Sequence, residues 1–189
     1  MRWMALLTLT TLLPACGYNA VIDRDEEVKA AWAEVENQYK RRADLVPNLV
    51  KVVKGAADFE KDTLTAVVEA RSKVSQMKID SSIIDNPQSM AAFQKAQAGL
   101  SSALSRLMVV VEKYPELKAT QAFRDLQAQL EGTENRITVA RKRYIESIAA
   151  YNKVVLRFPT SIGASMRDKT VRETFKGDAA DATPPSVEF

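Results

Sequence analysis

The sequence of 189 residues has no histidine and one cysteine, Cys16. With no second thiol the chain cannot close a disulfide within itself, so its stability has to come from an apolar core. With no imidazole, His-based nucleophilic triads and His-liganded metal sites are excluded. Glycine and proline are scarce, at 6 and 7 residues. That is too few to punctuate a series of short strands, and no segment alternates apolar and polar residues as a half-buried strand does. A dominant charge is lacking too: 27 Lys and Arg face 24 Asp and Glu, a formal +3, which leaves no electrostatic footprint for nucleic acid. No cofactor is expected. What is present, 46% hydrophobic and 27% charged residues, is the composition of a folded helical chain.

Residues 1–15 read M-R-W-M-A-L-L-T-L-T-T-L-L-P-A, one basic residue at Arg2 and then an uncharged apolar run. A run of roughly a dozen residues falls short of the ~20 that a helix needs to cross a bilayer, so it reads as a signal-peptide core. It ends Leu13-Pro14-Ala15-Cys16, which resembles the lipobox of bacterial lipoproteins. That resemblance implies removal of residues 1–15, a diacylglycerol thioether on Cys16 and acylation, for example by palmitate, of the new amino group. Residues 16–22 would then be a lipidated start and short linker. One acyl chain, at about 0.8 kcal/mol per buried methylene, holds only marginally, whereas two or three hold stably. Gly17 rather than Asp follows the cysteine, which by the same resemblance favours the outer membrane with the body facing the periplasm.

From Asp23 to Ile79 apolar residues recur at gaps of three and four: Val28, Trp32, Val35, Tyr39, then Val46, Leu49, Val53, Ala56, then Val67, Ala70, Val74, Met77. The spacing predicts one long amphipathic helix with a coiled-coil-like stripe, capped by Asp23 with Glu26 as its capping-box partner and kinked at Pro47. The stretch up to Pro87 predicts a loop. Gln88 to Lys113 predicts a second helix on Met90, Phe93, Gln97, Leu100, Leu104, Leu107, Val111 and Tyr114, ended by Pro115. A third runs from Pro115 to Pro159 through Phe123, Leu126, Leu130, Thr133, Ile137, Ala140, Tyr144, Tyr151, Val154 and Phe158. The expected fold is all-α, an elongated antiparallel bundle of three long helices over residues 23–159. A short fourth helix is expected within 160–177, around Ser165 to Phe175, and a disordered, acidic, proline-containing tail at 178–189.

At 1.5 Å per residue the three helices measure about 85, 40 and 65 Å. If the chain reverses at both loops, the membrane-proximal stripe of the first helix, Trp32 and Tyr39 included, has no partner in the chain. The alternative is a bend at Tyr114-Pro115 with the true reversal near Gly132. An uncovered stripe would mark an interaction surface.

Q-Y-K-R-R-A-D-L-V-P-N-L-V-K-V-V-K-G at 38–55 and E-A-R at 69–71 resemble the first half of the LemA family. Y-P-E-L-K-A at 114–119, Phe123, L-E-G-T-E-N-R-I at 130–137, A-R at 140–141, Y-N at 151–152 and F-P at 158–159 resemble its second half. The resemblance covers about residues 18–160 and implies an all-helical domain held at a bacterial membrane, with no settled biochemical activity. Many members of the family keep a transmembrane helix, so a lipobox is a departure in anchor type. Another is Tyr144-Ile145, where the family pattern leads one to expect Tyr-Asn.

Two charges, Arg42 and Glu60, interrupt the first stripe, and a buried charge is costly unless paired. They lie about 27 Å apart along one helix and cannot meet each other. Arg42 or Arg41 is expected to meet Glu134 or Glu131, and Glu60 a basic residue or a tyrosine hydroxyl, as polar seam groups that set register. With Asp44, Asn48, Arg71, Asn135, Arg136 and Arg141 they form the set of structural or partner-docking candidates. No catalytic or metal-binding residue is expected. The runs Lys40-Arg41-Arg42 and Arg141-Lys142-Arg143 are diluted by Glu36, Asp44 and Glu146 and read first as solvated helix faces. The expected function is a non-catalytic, lipid-anchored module that docks other envelope proteins or self-associates, with no nucleic-acid partner. The competing readings are remodelling of anionic membranes through the basic faces, and an envelope hydrolase working with a carboxylate pair.

Overall fold

The computed structural model describes residues 15–56, 59–77 and 81–175. The expected signal peptide 1–15 apart from Ala15, the expected tail 178–189 and the side chain of Cys16 lie outside the described residues. Every regular element described is helical: α1 Ala15–Val53, α2 Lys61–Ser75, a 3-10 turn Ser81–Asp85, α3 Pro87–Val111, the single turn α4 Pro115–Lys118, α5 Gln121–Leu156 and α6 Thr160–Ser165. The chain is an all-α helical bundle, as its composition and periodicity predict. Its contacts divide it into two compact units, residues 25–144 on one hand and the described residues of 1–24 and 145–189 on the other.

The 25–144 unit contains four helices running up, down, up and down. Arg71 of α2 reaches back to the Ala43 carbonyl of α1 at 3.1 Å, and Lys113 at the end of α3 lies 3.2 Å from Glu60 at the start of α2. Trp32 of α1 packs on Phe93 of α3 and on Tyr144 of α5. The stripes read from the sequence form the core: Val46, Leu49, Val53, Val67, Val74, Leu100, Leu107 and Phe123 are all buried. Sequence chemistry sets the turns. Asn86 accepts from the amides of Gln88 and Ser89 at 3.0 and 3.1 Å, capping α3 ahead of Pro87 at its first position. Thr120 accepts from the Phe123 amide at 3.3 Å and so starts α5.

The other unit joins the first described turns of α1 to the end of α5, α6 and the segment that follows. Val21, Ile148, Tyr151, Val155, Ala164 and Phe175 are its buried apolar residues. Asn152 clamps the returning segment on α5: its Nδ2 donates to the Arg172 carbonyl at 3.0 Å and its Oδ1 accepts from the Arg172 amide at 2.9 Å. The Arg172 guanidinium lies over the Tyr151 ring at 4.8 Å.

Four expectations are corrected. The helix predicted from Asp23 to Ile79 is two helices, α1 and α2, because the chain reverses after Val53, so the bundle has four long helices in place of three. At the reversal Gly55 and Ala56 bond back three residues, to Val52 and Val53, and a Cβ on Gly55 would sit 3.2 Å from the Val52 carbonyl. α1 already runs from Ala15 and continues through Pro47, so Asp23 is an exposed mid-helix residue and not a cap. Reversal does fall at Tyr114-Pro115, and Gly132 is inside α5, yet the Trp32 and Tyr39 part of the first stripe is not left bare: α1 is shorter than expected, and both residues are buried. Finally, the short C-terminal helix is Thr160–Ser165 rather than Ser165 to Phe175, and Phe158 is 79% exposed instead of closing the third stripe.

Candidate functional site

The most polar feature of the 25–144 interior is built on Arg42, which is 1% exposed. Its guanidinium is held from two other helices. Nη1 donates to Ser101 Oγ of α3 at 2.7 Å and to Glu134 Oε1 of α5 at 2.8 Å. Nη2 donates to the side-chain oxygen of Gln97 at 2.6 Å and to its carbonyl at 3.2 Å. The cation also lies 5.0 Å from the centroid of the Tyr39 ring, one turn earlier on α1. The planar fork of arginine suits this geometry, since its donors reach partners on separate helices without rotamer change. Arg42 Nε and Gln97 Nε2 are buried without a hydrogen-bond partner among the described residues.

Glu134 balances the charge from the rim, where its side chain keeps 47% exposure. Water therefore screens the pair, and the ion pair itself contributes little compared with the hydrogen bonds that satisfy the buried guanidinium. Tyr39 has its phenol pKa pushed above the usual 10.0, first by burial, against the opposing pull of the nearby Arg141 and Arg42. A folded-state pKa above the unfolded one keeps Tyr39's contribution intact below pH 10 and removes it as the pH climbs further.

Beside the cluster, Ser101, Leu104, Ser105, Met108, Gln127, Leu130, Glu131 and Glu134 line an open groove of about 440 Å³ between α3 and α5. Its two carboxylates already have partners, Glu134 in Arg42 and Glu131 in Gln127 of the same groove, whose Nε2 donates to it at 2.9 Å, and both residues are exposed. A general acid needs a carboxyl held in an apolar, desolvated setting, which neither has. Among the described residues no group of Asp, Glu or Cys is placed to hold a metal ion.

The structure brings together Arg42, Glu134 and, through Tyr39, Arg141. It leaves Arg41, Asp44, Asn48, Asn135 and Arg136 exposed on helix faces, the last two beside Glu34 and Arg143 on a shallow groove of α1 and α5. Burial of Arg42 also takes the third residue out of the basic run Lys40-Arg41-Arg42. Glu60 meets Lys113 on the surface and accepts from Thr63 Oγ1 at 3.3 Å, in a loop and not on a seam. Arg71 has a different task. Pro47 has no N–H, so the Ala43 carbonyl four residues earlier lacks its helical donor, and Arg71 Nε supplies one at 3.1 Å. Three contributors were not signalled as site residues: Gln97, read as part of an apolar stripe; Ser101; and Asn152, quoted only as part of a motif.

The family model "LemA family" matches residues 31–189. Magnetosome protein MamQ of Magnetospirillum gryphiswaldense is 27% identical over 192 residues, covering 93% of this chain and 70% of that protein. Magnetosome protein MamQ 2 of Paramagnetospirillum magneticum is 27% identical over 183 residues, covering 88% and 67%. Protein LemA of Metamycoplasma hominis is 23% identical over 150 residues, covering 79% and 64%. The residues that build the Arg42 cluster and the Pro47–Arg71 contact fall within the matched region, and the chain belongs to the LemA family.

Proposed function

We propose that the protein is a lipid-anchored, non-catalytic helical module of the bacterial cell envelope that serves as a scaffold or docking body for other envelope proteins or for further copies of itself. The observation that carries this reading is the placing of Leu13-Pro14-Ala15-Cys16 directly ahead of an all-helical body. Among the described residues no helix is long and apolar enough to cross a membrane; in this reading the acyl groups on Cys16 are the anchor. The polar groups inside the bundle support a structural rather than a chemical role, because Arg42 spends its donors on Gln97, Ser101 and Glu134. The protein works at a surface, without cofactor, metal or nucleic acid, and the outer membrane is its proposed site.

Cell fractionation of wild type against Cys16→Ser tests the anchor. The wild type is expected in the membrane pellet, extractable by detergent only, while the variant is not processed at residue 16 and loses its acyl groups. In-cell crosslinking followed by mass measurement tests the scaffold role, and a chain that crosslinks to nothing, itself included, contradicts it.

A further inference from the structure

The unit that includes residues 145–175 exposes several large apolar side chains that its own packing does not use. Leu156 is 68% exposed, Phe158 79%, Ile162 55%, Met166 77% and Val171 52%. Helix α6 is amphipathic in reverse. Its small residue Ala164 is 1% exposed, while Ile162 and the C-cap residue Met166, four residues further on, stand in solvent. An ordinary surface helix buries the large residues and exposes the small one. Nor is the exposure that of a loose segment. The Thr160 hydroxyl lies 2.7 Å from the Arg157 carbonyl, and Asn152 holds the backbone of Arg172 by two hydrogen bonds. In the other unit the exposed large apolar residues are single and scattered, with Val68, Val109 and Val139 each on a different helix.

We propose that this face is a second membrane contact, seated at headgroup level in a bilayer containing anionic phospholipid. Charge selects that occupant. Over residues 145–175 the basic residues are Lys153, Arg157, Arg167, Lys169 and Arg172, and the acidic ones are Glu146, Asp168 and Glu173. Arg167, Lys169 and Arg172 are half-buried and engaged within the protein, so the cations offered beside the apolar residues are Lys153 and Arg157. Lys153 and Arg157, both exposed, flank Leu156 and Phe158. Apolar side chains entering the acyl boundary beside cations that meet lipid phosphates are the two ingredients of interfacial binding. Residues 15–24, which follow the lipobox, belong to the same compact unit, so acyl groups on Cys16 would hold this face near the bilayer. The inference deepens the membrane reading above, and it does not require that Cys16 be acylated.

The full chain carrying Cys16→Ser provides the test, with one new cysteine, Met166→Cys or Val68→Cys, bearing a polarity-sensitive fluorophore. Both proteins keep residues 1–15, so any tethering by that run is common to them. On vesicles of phosphatidylcholine with phosphatidylglycerol, the label at 166 is expected to shift to the blue and to be quenched by brominated lipid, and the label at 68 is not. The shift should weaken on pure phosphatidylcholine and in high salt, and vanish when Phe158→Asp and Ile162→Asp are added. Equal responses at 166 and 68, or equal shifts on neutral and anionic vesicles, overturn the proposal. So does a shift without vesicles that grows with protein concentration, which would make a second copy the occupant. Acylation is read separately from the mass of residue 16 in the wild type, so either reading can fail alone.

Discussion

The two units of this chain solve opposite problems. The 25–144 unit turns its large side chains inward, and even a guanidinium, Arg42, is taken into the interior and given partners on two other helices. The unit containing residues 145–175 has a core of its own, with Ile148, Tyr151 and Phe175 buried, but leaves Phe158, Ile162 and Met166 outside. A self-contained body gains stability by hiding apolar area, whereas a surface meant to be covered must leave some of it in water. If the membrane contact proposed above holds, stability and interaction are placed in different parts of the molecule, and the two should respond differently to substitution.

The largest effect is expected from Arg42→Ala, which strands Gln97 and Ser101 and opens a cavity, at a cost of about 3–5 kcal/mol in equilibrium urea unfolding. Glu134→Gln, by contrast, should stay within about 1 kcal/mol because the carboxylate is half exposed. A gap of that size between the two partners marks hydrogen bonding, not the ion pair, as the source of stability. Next, Arg71→Ala should cost about 1–3 kcal/mol by leaving the Ala43 carbonyl unmet. In a Pro47→Ala background the same change should cost much less, since the backbone then supplies the donor. Additive effects in that double-mutant cycle would refute the assigned role. Asn152→Ala should act locally, speeding amide exchange around residues 169–175 while residues 25–144 keep their protection. Smallest of all, Phe158→Ser with Ile162→Ser should leave unfolding within about 0.5 kcal/mol of wild type in solution, and a clear loss would mean that these side chains belong to a core.

The stripes were legible because a buried helical face repeats every three to four residues, and Val28, Val35, Leu100, Leu107 and Ile137 all lie where that period puts them, inside. Arg42 was legible for a related reason, as a charge on a stripe needs a partner, and Glu134 is that partner. The reversal after Val53 was not. Val53, Glu60 and Val67 lie seven residues apart, so the heptad continues in register across the turn and disguises two helices as one. Glu60 then read as a seam charge, although it is an exposed loop residue. Ser101 and Gln97 gave no signal of their own because short polar side chains look alike whether they face water or a buried cation. The Arg71 contact spans 28 residues and becomes visible only once the hairpin is known. Phe158 misled for a physical reason: periodicity reports a face, not what covers it.

The most direct test of the account is the intact mass, with N-terminal fragment spectra, of the protein extracted by detergent from the membranes of the cells that make it. A chain beginning at residue 16, with a diacylglyceryl group on sulfur and an acyl group on nitrogen, is the predicted result. A product that still begins at Met1 with a free thiol, or one that begins at residue 16 without acyl mass, would contradict it.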